Sequence, residues 1–75
     1  MKSSKLDEMH AAYMQATNEW VLAIRAEEAL ATADHSEVAW ERWDEAVLAE
    51  QKARAQAREA KEQYKGALRQ ANLGF

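Results

Sequence analysis

Five cations, Arg54, Arg58, Lys61, Lys65 and Arg69, recur three or four residues apart, and on an α-helix that spacing lines them along one face. Converging cations are anion chemistry. The arginine fork donates two parallel hydrogen bonds to a phosphate, and Tyr64, between Lys61 and Lys65, offers a ring for a base to stack on. Arg54, Arg58, Lys61, Tyr64 and Lys65 are therefore the candidate ligand-binding set, suited to a nucleotide or another small phosphate compound. The stripe has a cost, because each like-charged neighbour pair destabilises a helix by roughly 0.2–0.5 kcal/mol. Glu50, four residues before Arg54, and Glu62, between Arg58 and Lys65, offset part of it. The competing reading is a solvated face, or one answered by Asp7, Glu8 or Glu19 of a neighbouring chain.

Covalent and acid–base chemistry find no such set. Ser3, Ser4 and Ser36 fall at expected helix ends, where a serine hydroxyl caps the backbone. No Ser/His/Asp order, glycine-rich phosphate loop or HExxH pattern occurs. His10 and His35 lie on different elements. The run Asp34-His35-Ser36-Glu37 reads as a capped turn, since adjacent residues on a turn rarely converge on a metal. Neighbouring carboxylates such as Glu27-Glu28 and Asp44-Glu45 point about 100° apart on a helix and cannot share a proton-transfer task. The expectation is a protein that is not an enzyme, with no catalytic residue, metal or cofactor.

The elements that carry the stripe are helical throughout. Leu6, Tyr13, Trp20 and Glu27 repeat every seven residues, as do Met9, Ala16, Ala23 and Leu30, which predicts a first helix over about 5–31 with a heptad seam. Ser4, followed by Asp7 and Glu8, suits its N-terminus. Thr17 and Ile24 widen the seam, and His10, Met14 and Val21 widen it further, beyond what one partner helix covers. Thr32 to Ser36 gather turn formers, with Asp34 and Glu37 at capping-box spacing and Ser36 as a competing cap. A second helix follows over about 36–72. Ala39, Ala46, Ala49, Ala53, Ala57, Ala60, Tyr64, Ala67 and Ala71 give it a small-residue face, beside which Trp40, Trp43 and Val47 lead into the cation stripe. With a turn at about 32–36, residues 1–75 form one all-α domain, a two-helix antiparallel hairpin. A fold centred on residue 34 sets Trp20 against Val47 or Leu48 and Tyr13 against Arg54 or Ala55. It leaves Leu68, Leu73 and Phe75 in an overhang without a partner.

A hairpin of 75 residues with no cysteine has neither a large core nor a staple, so assembly into a dimeric or higher-order helical bundle is expected. Tyr13, Trp20, Trp40, Trp43 and Leu68 are the candidate interface residues. Trp40 and Trp43 stand about 60° apart on the helix and cannot both face the first helix. The architecture is similar to that of dimeric helical-hairpin proteins whose two hairpins form a four-helix bundle, an analogy of fold that transfers no site. The net charge of −3 conceals a dipole. Residues 1–50 carry 4 Lys/Arg against 11 Asp/Glu, and residues 51–75 carry 6 against 2. The acidic part repels a long polyanion, so nucleic acid is not an expected partner. No apolar run reaches the ~18 residues of a membrane span, and the first residues lack the apolar stretch of a signal peptide, so a cytoplasmic, membrane-free protein is expected. Two functions fit: an oligomeric adaptor or inhibitor that binds a protein partner, or a sequesterer of a small anion at a subunit interface.

Overall fold

The computed structural model describes residues 4–31 and 36–73. Two helices, α1 (Lys5–Leu30) and α2 (Glu37–Leu73), pack against each other as a hairpin. Both helices fall within a residue of their expected bounds. The expected turn at Thr32–His35, the Asp34–Glu37 capping box and the terminal Phe75 lie outside the described residues.

Each helix starts on a serine. The Ser4 hydroxyl accepts from the Asp7 amide at 3.1 Å, and the Asp7 carboxylate accepts from the Ser4 amide at 3.4 Å, a reciprocal capping box. At α2 the Ser36 hydroxyl accepts from the Ala39 amide at 3.2 Å and the Ser36 carbonyl from the Trp40 amide at 3.0 Å. Acidic residues in both first turns, Asp7 and Glu8 in α1 and Glu37 in α2, complement the positive helix ends. At the other end of α1 the Ala31 amide is shared between the carbonyls of Glu27 and Glu28.

The half-buried residues of α1 are the heptad seam and its flank: Leu6, Met9, Tyr13, Ala16, Thr17, Trp20, Ala23, Ile24, Glu27 and Leu30. On α2 the matching seam runs Ala39, Trp43, Ala46, Glu50, Ala53, Ala57, Ala60, Tyr64 and Ala67. Ala49 and Ala71, expected on this face, are exposed, and Glu50 takes a seam position instead. Large residues of α1 thus meet a mostly alanine surface, which lets the two backbones approach closely. Among the described residues only Ala57 and Glu50 are buried, at 3% and 8% exposure, and no large side chain is fully buried. The rod measures 56 × 25 × 13 Å, a single layer of two helices with one side of each seam open.

The pairing is shifted from a fold centred on residue 34. Trp20 meets Glu50, and Tyr13 meets Tyr64 rather than Arg54 or Ala55. Six residues, Ala31 to Ser36, separate α1 from α2. One consequence of the shifted pairing is that half-burial on α2 extends to Ala67 and Leu68, so Leu68 is not a bare overhang.

Candidate functional site

At mid-rod the two helices are joined by a polar node. Trp20 donates its indole N–H to Glu50 Oε2 at 2.7 Å, and Arg54 clamps the same carboxylate with two hydrogen bonds, Nε to Oε2 at 3.0 Å and Nη2 to Oε1 at 2.7 Å. The carboxylate is thereby satisfied by charge-assisted bonds, as a seam acid must be. The Arg54 fork, then the Trp20 N–H, hold the Glu50 carboxyl below its ordinary range against the opposing pull of burial. The hydrogen bonds and charge of Glu50 raise the already high Arg54 value further. Arg54 therefore belongs to the seam, where its charge is answered, and not to an open cation stripe.

On one side of the seam the helices present a broad face. α1 contributes His10, Met14, Thr17, Val21 and Ile24, and α2 contributes Trp40 and Val47 followed by Arg58, Lys61 and Lys65. These residues sit one step round each helix from its seam in the same sense, and the two sets share a side because the helices are antiparallel. A groove of about 170 Å³ opens there, lined by Tyr13, Thr17, Trp20, Ala57, Arg58 and Lys61. A second hollow of about 170 Å³, formed by Tyr13, Met14, Thr17 and Asn18, adjoins it.

The candidate ligand set is divided by this geometry. Arg58 and Lys61 reach the groove, and among the described residues no carboxylate pairs with either. Lys65 lies 3.7 Å from Glu62, an exposed pair of little energetic weight. Tyr64 is turned into the packing between the helices, its ring centroid 5.3 Å from that of His10 and 6.2 Å from that of Tyr13. The aromatic rings beside the two groove cations are those of Tyr13 and Trp20. Of the candidate interface residues, Tyr13, Trp20, Trp43 and Leu68 are half-buried within the hairpin, whereas Trp40 is 61% exposed. The two tryptophans thus point apart, as their spacing requires.

Glu50 is the residue that the sequence reading passed over as anything but a counter-charge for Arg54. The signal was present: Trp43, Ala46, Glu50, Ala53 and Ala57 alternate three and four apart, which is the seam itself. Among the described residues, no cluster of three or more His, Asp or Glu side chains could hold a metal ion, and no helix is long and apolar enough to cross a membrane. Comparison with protein-family models, with curated proteins and with solved structures gives no match. The functional reading rests on the residues and their geometry.

Proposed function

We propose that the chain is a non-catalytic helical module that acts, as an oligomer, by binding a protein partner through its broad face, in the manner of an adaptor or inhibitor. The observation that carries this reading is exposed area. The chain presents 6113 Å² to solvent, whereas a compact folded monomer of 8.5 kDa presents about 4,650 Å². The excess, roughly 1,450 Å², exceeds the ~800 Å² that each side gives to an interface of ordinary size. Met14, Val21 and Trp40, exposed at 52%, 39% and 61%, lie on the broad face and supply its apolar anchors. The test is capture and reconstitution. A protein retained from the host by the wild-type chain should be lost with Trp40→Ala and Val21→Ser, and once purified it should bind the wild type in solution. If nothing is retained, or if the variant retains the same protein equally well, the reading fails.

A second reading is favoured by one specific observation, the two unanswered cations beside Tyr13 and Trp20 in the groove. A small phosphate ligand held there would raise the melting temperature by linkage. Nucleotides and cyclic nucleotides at millimolar concentration should then stabilise the wild type but not Arg58→Gln with Lys61→Gln. A flat response from the wild type disposes of the idea.

A further inference from the structure

Charge on the broad face is not scattered. At the closed end of the hairpin its margin carries Glu28 and Asp44, with Glu37 beginning α2 beyond them. From just past the middle toward the open end it carries Arg58, Lys61 and Lys65. Asp7, also at the open end, is engaged in the α1 capping box. Between the acidic end and these cations lie Val21, Val47 and the Arg54–Glu50 pair, whose charges cancel, while Met14 and Thr17 flank the cations themselves. A surface that is acid, apolar and basic in sequence is complementary to itself when one copy is turned end for end. That is the requirement of an isologous two-fold contact.

We infer that the broad face is covered by a second copy of the same chain, laid antiparallel, so that the Glu28 and Asp44 end of each copy meets the Arg58, Lys61 and Lys65 end of the other. This rests on the reading that the broad face takes up protein, and it names the first protein that does so; a host partner using the same face would have to displace the second copy. Two further facts agree. The surplus of exposed area is large enough to supply one side of such an interface. Trp40, exposed at the acidic end, would lie near the partner's cations, where an indole face attracts lysine and arginine. A parallel stack would instead set three cations on three cations, a juxtaposition that disfavours association. The product is a four-helix bundle in which the cation stripe is answered across the interface.

Charge reversal decides the matter. Arg58→Glu with Lys61→Glu makes both ends of the face acidic, and Glu28→Lys with Asp44→Lys makes both ends basic. In sedimentation equilibrium at low salt the wild type should dimerise. Each reversed variant alone should associate more weakly, by on the order of a hundredfold in Kd. An equimolar mixture of the two should recover the dimer, because every acidic end then finds a basic one. Circular dichroism guards against a folding artefact: if a variant is unhelical alone, the mixture must restore helix. The proposal is overturned by a wild type that stays monomeric at high micromolar concentration, by variants that dimerise as well as or better than the wild type, or by a mixture that recovers nothing. A monomeric wild type that still captures a host protein through Trp40 would overturn this inference and leave the broader reading intact. A dimer behaving as described, with no other protein captured, would do the reverse.

Discussion

Gly66 sits inside α2, two turns from its end, on the side away from the broad face. A Cβ built there meets nothing within 4 Å, so the hairpin gives no steric reason for glycine. Glycine in a helix interior costs about 0.5–1 kcal/mol relative to alanine, mostly as backbone entropy lost on folding. Gly66→Ala should therefore stabilise the protein by that amount. In a domain of this size 1 kcal/mol corresponds to roughly 4–8 °C in melting temperature, so a rise of about 2–8 °C is expected. The assay is a circular dichroism melt at one fixed protein concentration, because association makes the midpoint concentration-dependent. A fall in the midpoint would mean that another backbone approaches Gly66 closely. A second chain would then lie on the far side of the hairpin, contrary to the interface argued above. An unchanged midpoint would mean that the last turns of α2 stand outside the cooperative unit.

Trp20→Ala removes a half-buried seam ring and one of the two partners of Glu50. The expected loss is about 3 kcal/mol, the low end for a large aromatic side chain, and a melt overlaying the wild type would contradict the seam. Ser4→Ala removes the hydroxyl that caps α1 and should cost about 1 kcal/mol, read as a lower urea midpoint. Glu50 gives a pH signature. Its carboxyl is lowered from the ordinary value of 4.5, so its contribution is fully present above that value and disappears as pH falls through the lowered one. Glu50→Gln should be less stable than the wild type at neutral pH, and the gap in urea midpoint should close in acid. A gap that persists unchanged below the carboxylate range would show that the charge is not what matters.

The heptad of α1 was legible because its seam residues are large and apolar against a polar background; Leu6, Tyr13 and Trp20 announce the period by themselves. The seam of α2 was harder to place. Alanine occupies so many positions on that helix that the small-residue face drifts round the wheel, and Ala49 and Ala71 were assigned to a side they do not occupy. The cation stripe was legible as a stripe, but which of its members are free depends on contacts within α2 and between the helices. Arg54 is taken by Glu50 and Tyr64 is taken by His10 and Tyr13. The first pairing follows from the four-residue spacing within α2; the second does not, because it needs the register of one helix against the other.

That register is what the polar node specifies. Where the α2 seam is alanine, at Ala39, Ala46, Ala53, Ala60 and Ala67, moving α2 by a heptad replaces one alanine contact with another; Trp43, Glu50 and Tyr64 are the positions that resist it. Large residues of α1 resist the slide only weakly where they meet alanine. Glu50 breaks the degeneracy, being a carboxylate within the seam at 8% exposure, which must be paired or lose heavily. Arg54, four residues on in the same helix, follows Glu50 in any register and cannot choose between them. Trp20 can: its indole N–H reaches Glu50 at 2.7 Å from the other helix, and a heptad slide would leave that donor facing Ala57 or Trp43. That hydrogen bond between helices therefore discriminates between pairings, together with the Tyr64 ring against His10 and Tyr13. Its placement in turn sets Arg58 and Lys61 beside Tyr13 and Thr17 on the broad face. Trp20→Phe keeps the ring and deletes the donor, so it should retain helix content while losing the unique pairing, seen as broadened or doubled amide resonances in a nitrogen-15 correlation spectrum. A single sharp set of resonances from that variant would mean that packing alone fixes the register.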